Sequence, residues 1–303
     1  MKLKYNFRSL IAIKLVILAT ALFVSSCCEA PKPAFAFVAN TVADSTAIEP
    51  EKAITFATTQ KATWTAVGGG TINANGVYTP PNLTGIPALV VTITATSQDN
   101  TALKFTRTLF VTPSFALINA MQKGGYVLSF RHGIATTGAD QTGLAFSSGW
   151  WTSSNPSLAR QLDNPAGVEQ MRATGKALRR IKCPVDKILS SEFLRCQQSA
   201  QYMDFKNITI TSNKDITFSV YDEVNRYPKT MQLIGSQPIN NTNTIIVTHV
   251  GFSANIPATL PNSPPPPLMD LQQGDVAVFK LQPNNGTPVF AGKLTTQELV
   301  ALQ

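Results

Sequence analysis

The hydrophobic pattern changes period near Pro113, and that change divides what this chain can fold into. From about Ala53 to Pro113 the apolar positions alternate. Val90-Val91-Thr92-Ile93-Thr94-Ala95-Thr96 and Phe105-Thr106-Arg107-Thr108-Leu109-Phe110-Val111 are rich in β-branched residues, which suit a pleated, half-buried surface. Gly68-Gly69-Gly70, Asn75-Gly76, Pro80-Pro81-Asn82 and Gln98-Asp99-Asn100 punctuate them as turns. No helical period appears there, so a sandwich of short strands is expected. After Pro113 apolar strands alternate with helical stretches. Residues 115–122 read as a short helix and Tyr126-Val127-Leu128-Ser129-Phe130 as a strand. Residues 167–181 place Val168, Met171, Gly175, Leu178 and Ile181 on one helical face, and Pro184 ends that helix. Residues 185–189 and Thr244-Ile245-Ile246-Val247-Thr248 are two further strands. Ser190-Ser191-Glu192 precedes a helix carrying Phe193, Leu194 and Arg195 and has the composition of an N-terminal cap. This alternation predicts an α/β domain whose parallel or mixed sheet is covered on both faces.

The N-terminus has a third grammar. Lys2, Lys4, Arg8 and Lys14 occur in an acid-free start, followed by the ten-residue apolar run 15–24. That run is shorter than the roughly 20 residues a spanning helix needs, and the pattern is that of a secretory signal. Val24-Ser25-Ser26-Cys27 is similar to the bacterial lipobox, which implies acylation at Cys27 and anchoring on the periplasmic or cell-surface face. An ordinary signal cut near Ala30 is the alternative. Residues 1–26 are thus expected as a lipoprotein signal peptide and 27–50 as a tether. The signal accounts for much of the formal charge of +8: without those four cations, 21 basic residues face 17 acidic ones. The basicity therefore gives no nucleic-acid footprint. With 44% hydrophobic residues the remainder has ample material for folded cores.

The chain has two histidines, His132 and His249, and each directly follows an apolar strand. The carboxyl ends of strands in an α/β sheet form the crevice where ligands bind. Arg131 adjoins the first histidine, and Arg195 lies just inside a helix after a third strand. Guanidinium groups match phosphate oxygens with paired donors, and an unprotonated imidazole can attack phosphorus. Beyond the leader only Cys183 and Cys196 remain, and export would permit them to pair. Two cysteines and two histidines at these spacings make no convincing metal site, and no cofactor is expected.

Four motifs in order carry a resemblance. They are Leu128-Ser129-Phe130-Arg131-His132-Gly133; Leu162, Gly167, Gln170-Met171, Gly175 and Ala177-Leu178; Ile188 through Ala200 with Ser190-Ser191 and Arg195; and Ile245-Ile246-Val247-Thr248-His249-Val250-Gly251. Together they resemble the histidine phosphatase superfamily, the phosphoglycerate-mutase-like group (branch 1), across residues 118–280. The resemblance implies a three-layer αβα domain over residues 114–303 and metal-independent phosphomonoester hydrolysis. His132 would be the nucleophile, with Arg131, Arg195 and His249 lining the phosphate pocket. The proton donor would be a carboxyl group between Arg195 and His249. Glu223 fits best, Asp222 is the second choice, and Asp140 in the loop after His132 is the third. Ser199 stands where relatives often have Thr. The long 133–159 loop, with Trp150-Trp151, lacks the segment that phosphoglycerate mutases use around their sugar phosphate, so the substrate is left as a phosphorylated small molecule or other phosphoester. Arg160 could reach the pocket or be a surface charge. The four prolines at 264–267 read as an inserted stiff loop.

Residues 51–113 have their own resemblance. Trp64 through Ile72, followed by Gly76-Val77-Tyr78-Thr79-Pro80-Pro81, is similar to bacterial immunoglobulin-like repeats of surface proteins. This implies an all-β immunoglobulin-like sandwich, used as a spacer or adhesive unit, with Trp64 and Tyr78 in its core. The rival to the enzyme reading is a non-catalytic phosphate-binding or adhesive surface lipoprotein. The intact set Arg131, His132, Arg195 and His249 favours the enzyme.

Overall fold

A computed structural model describes residues 32–138, 140, 149–218, 226–249 and 271–303. The leader with Cys27, the acids Asp222 and Glu223 and the four-proline stretch lie outside the described residues.

The first unit is built from strands β1 (Thr46–Ile48), β2 (Ile54–Thr55), β3 (Ala62–Val67), β4 (Thr71–Ile72), β5 (Val77–Thr79), β6 (Leu89–Ser97) and β7 (Lys104–Val111). They form one sheet ordered β1-β7-β6-β3 and a smaller one ordered β2-β5-β4. Ile48, Phe56, Tyr78, Val91, Ile93, Leu109 and Val111 share a core between the sheets, with Trp64 packed against it. Alternation puts Val91 and Ile93 of β6 in this interior, and Ala95 in a second cluster, while their neighbours are partly exposed.

The expected tether is shorter than the pattern suggested. Thr46–Ile48 forms β1 and pairs parallel with Leu109–Val111 of β7. Phe35 is also buried, against Ala62 and Ala95. Residues of loop-like composition are thus recruited by a non-local strand edge, which local propensity does not register.

The second unit follows as α1 (Phe115–Met121), β8 (Tyr126–Arg131), α2 (Ala166–Arg180), β9 (Val185–Ser190), α3 (Leu194–Tyr202), β10 (Ile210–Ser212), α4 (Lys214–Phe218), α5 (Arg226–Gly235), β11 (Asn243–Thr248), β12 (Val276–Gln282), β13 (Gly286–Leu294) and α6 (Thr296–Ala301). Its sheet runs β10-β9-β11-β8-β12-β13. The β10, β9, β11 and β8 pairs are parallel, and β12 joins β8 and β13 antiparallel. The strands bury both faces. Leu128 and Phe130 of β8, with Ile245 and Val247 of β11, pack against Val168, Met171 and Leu178 of α2 and Cys196 and Ala200 of α3. Val127 and Ile246 face the other way, onto Ile216 and Ile234. Continuous apolar runs are what a two-sided burial demands, and the three-layer arrangement follows.

Helix α2 buries Val168, Met171, Thr174, Gly175 and Leu178, carries Glu169 in its first turn and ends in Arg179 and Arg180. Those charges complement the helix dipole at both ends. Gly175 has a packing reason. A Cβ there would lie 1.9 Å from the carbonyl oxygen of Met203, at the end of α3. The two helices approach backbone to backbone only because that Cβ is missing.

The units share contacts. The Ala47 N–H donates to Asn119 Oδ1 at 2.9 Å, and Asn119 Nδ2 donates to the Ala47 carbonyl at 2.7 Å. Gln122 Nε2 donates to the carbonyls of both Ser45 and Ile181. Ala47 and Phe110 belong to the same buried cluster as Ile118 and Met121.

Candidate functional site

Strand β8 delivers Arg131 and His132 to the carboxyl edge of the sheet. The Arg131 N–H donates to the Asp275 carbonyl, and the His132 N–H donates to the Thr248 carbonyl, both at 3.0 Å. The Gly274 N–H in turn donates to the His132 carbonyl at 3.0 Å. The turn after the strand is held from two sides. The Gly133 N–H donates to Ser199 Oγ at 3.0 Å, and the Ile134 N–H donates to Gln170 Oε1 at 2.8 Å. Gln170 Nε2 reaches the Gln273 carbonyl at 2.8 Å, so α2 ties the loop after His132 to the segment before β12.

Both histidines are buried and their rings stand 5.4 Å apart in a T-shaped pair. The Nδ1 atom of His132 lies 2.8 Å from the Gly133 carbonyl, which only accepts. Nδ1 therefore carries the proton, and Nε2 is the unprotonated nitrogen. Nε2 accepts from Arg195 Nε at 3.1 Å. Burial pushes the imidazole pKa well below the ordinary histidine value, and the Arg195 guanidinium lowers it further, while the Gly133 bond opposes them. His249 is treated alike: burial first, then Arg195, hold its pKa well below ordinary. Its Nδ1 lies 3.3 Å from Arg195 Nη2 and its Nε2 lies 3.0 Å from Ser191 Oγ. The first contact needs a bare Nδ1, because a guanidinium only donates, so Nε2–H donates to the serine.

Helix α3 supplies Arg195, and Ser199 one turn on returns its hydroxyl to the Arg195 carbonyl at 2.6 Å. The guanidinium is buried and lies 4.5 Å above the Phe193 ring. Phe193 also packs on His249 with centroids 4.5 Å apart and meets Trp150 and Trp151 with centroids 5.7 and 6.4 Å away. Trp150 and Trp151, expected in a polar loop, are buried as this aromatic wall.

Arg195 does not face the site alone. Its Nη1 and Nη2 each donate at 3.0 Å to one oxygen of Asp140, a forked ion pair that is largely buried. The Arg160 N–H donates to Asp140 Oδ1 at 2.9 Å. Arg160 Nε donates to the Thr136 carbonyl at 2.7 Å, which fixes that side chain. Arg131 Nη1 donates to the Leu271 carbonyl at 2.9 Å, and its buried Nε has no hydrogen-bond partner among the described residues. Burial lowers the Arg131 pKa, and Arg160 and Arg195 add repulsion. Three guanidiniums thus crowd one pocket beside two neutral imidazoles.

The structure brings together Arg131, His132, Arg195 and His249, with Arg160 beside them and Asp140, the third donor candidate, on Arg195. The Ser-Ser-Glu reading is corrected. The residue at the N-cap of α3 is Phe193, with no side-chain cap bond. Ser191 Oγ accepts from His249 and, at 3.4 Å, from the Phe193 N–H, and it lies 3.3 Å from Thr217 Oγ1, while the Glu192 N–H donates to Thr217 at 2.7 Å. Sequence reasoning also missed Phe193 and Thr217 as site neighbours. Their roles depend on tertiary contacts that carry no local pattern. Cys183 and Cys196 are both free and buried. Cys196 lies 3.4 Å from His249 Nε2, and burial pushes its thiol pKa up to about 12.

No family profile and no curated protein matches the chain. Among solved structures, it is similar to the protein histidine phosphatase SixA complexed with tungstate, at 17% identity and a TM-score of 0.37, over 57% of this chain and 99% of that chain. A phosphoserine phosphatase from Entamoeba histolytica, in complex with 3-phosphoglyceric acid, matches at 15% identity and a TM-score of 0.32, over 57% of this chain and 98% of that one. A phosphoglycerate mutase from Plasmodium falciparum matches at 14% identity and a TM-score of 0.32, over 55% and 88%.

Proposed function

We propose that the chain is an exported phosphomonoester hydrolase that works through a phosphohistidine. The observation that carries this reading is the protonation pattern of His132. Its Nδ1–H is committed to the Gly133 carbonyl and its bare Nε2 points at Arg195, as a nitrogen nucleophile beside an anion-binding guanidinium requires. Nε2 attacks phosphorus, the P–N bond forms and the P–O bond to the leaving group breaks. The departing oxygen takes a proton from a carboxyl group. Water then attacks phosphorus, the P–N bond breaks, the proton returns to the carboxylate and inorganic phosphate leaves. Arg131 and Arg195 hold the phosphoryl oxygens through both steps, with His249 lining the pocket beside them. Arg160 adds to the positive field. Glu223 is the proposed proton donor, with Asp222 and Asp140 as alternatives. The sandwich serves as a spacer between a lipid on Cys27 and the pocket.

The test is hydrolysis of a generic aryl phosphate by residues 32–303 with chelator present. His132→Ala should lower kcat at least about a thousandfold with the fold intact; substantial residual turnover overturns the nucleophile assignment. In the same assay Glu223→Gln should cost more on an alkyl phosphate than on an aryl phosphate, because only the poorer leaving group depends on protonation. An equal cost on both removes Glu223 as donor.

A further inference from the structure

The forked pair between Arg195 and Asp140 occupies the surface that the proposed function assigns to phosphoryl oxygens. Both Nη atoms of Arg195 are used, each at 3.0 Å, and the carboxylate presents two oxygens in the spacing a phosphoryl group would present. The side chains are 6% and 16% exposed, so this is no solvent-screened surface pair. Asp140 is oriented for the contact by the Arg160 N–H on Oδ1. Arg131, Arg160 and Arg195 repel one another, and among the described residues Asp140 is the carboxylate set directly on the fork.

We propose that Asp140 is a built-in competitor for the anion seat of Arg195, and that it sets which anions the pocket accepts. A phosphoryl group enters by displacing the carboxylate from the fork. The exchange exacts a threshold. An anion that offers only a two-oxygen face gains nothing over the carboxylate already there. A tetrahedral dianion gains, because its remaining oxygens are free to take Arg131, whose buried Nε has no hydrogen-bond partner among the described residues. Asp140 is in this sense a specificity-determining residue, and it also speeds release of inorganic phosphate by retaking the fork. The proposal rests on the pocket's being a phosphoryl site.

The experiment is calorimetric titration of residues 32–303 with inorganic phosphate and separately with acetate, for the unmodified protein and for Asp140→Asn. The amide keeps the size and removes the charge. The variant should bind phosphate at least tenfold more tightly and should acquire measurable acetate binding. Phosphate affinity that is unchanged or weaker in a folded variant overturns the proposal. A crystal of the unmodified protein saturated with phosphate gives a reading free of any folding defect. The phosphate should sit on Arg195 with Asp140 turned away; Asp140 still forked on Arg195, with phosphate bound elsewhere, overturns the exchange. Failure of the enzyme reading is separable. Phosphate binding that tightens in Asp140→Asn, when the unmodified protein shows no turnover, supports the exchange and refutes hydrolysis. Turnover with no gain in affinity refutes the exchange and leaves hydrolysis standing.

Discussion

His132 and His249 are buried and held neutral, and that has a sign in stability. The folded pKa of each is depressed, so in acid the unfolded chain takes up protons that the folded protein refuses. Their contribution is therefore intact above the unfolded value of about 6.5 and is lost progressively as pH falls below it. With both groups acting, the unfolding free energy should fall by up to about 2.7 kcal/mol per pH unit below pH 6, measured by urea denaturation between pH 7 and 5. Replacing both histidines by Gln should flatten that slope; an unchanged slope would place the proton uptake elsewhere. The four residues of the proposed phosphate pocket were legible in the sequence because strand ends and a helix start locate them. The partner of Arg195 was not. Asp140 lies 55 positions away in sequence, with α2 and β9 between, and an ion pair that distant leaves no periodic trace.

At the scale of elements, the close approach of α2 to the end of α3 decides where Arg195 sits. Gly175→Ala would put a methyl 1.9 Å from the Met203 carbonyl oxygen. Backbone cannot yield as a flexible side chain would, so overpacking of this kind costs about 1–3 kcal/mol. The urea midpoint should drop accordingly. Because α3 carries Arg195 and Ser199, kcat/KM on an aryl phosphate should fall with it, whereas the exposed Lys176→Ala should change neither. Strands β8 and β11 could be read directly, since burial on both faces writes a largely apolar run. The antiparallel pair β12 and β13 was harder. Pro288 and two glycines interrupt β13, and such residues argue against a strand unless it lies at a sheet edge, which is its place here.

For the whole molecule, the joint between the two units is specific. Asn119 returns two hydrogen bonds to one residue, Ala47, and Gln122 bridges Ser45 and Ile181. Asn119→Ala strips a donor and an acceptor from part-buried backbone, at a cost of about 1–3 kcal/mol. Urea unfolding should then split into two transitions, or shift as one to lower urea; an unmoved curve would mean that water replaces the amide without loss. The sequence reading put the start of the sandwich too late here, because Pro-, Ala- and Thr-rich composition looks like tether until the edge of β7 is available to pair with it.

The histidine count has a spectroscopic consequence. The chain has two imidazoles, and both line the pocket. Selective nitrogen-15 labelling of histidine in the untagged protein would give a spectrum of about four ring nitrogens, every one of them reporting from the pocket. Each tautomer would be read from its own pair of shifts. Covalent phosphorus on one nitrogen would announce itself as a scalar splitting of a single resonance, against a background that holds no other histidine.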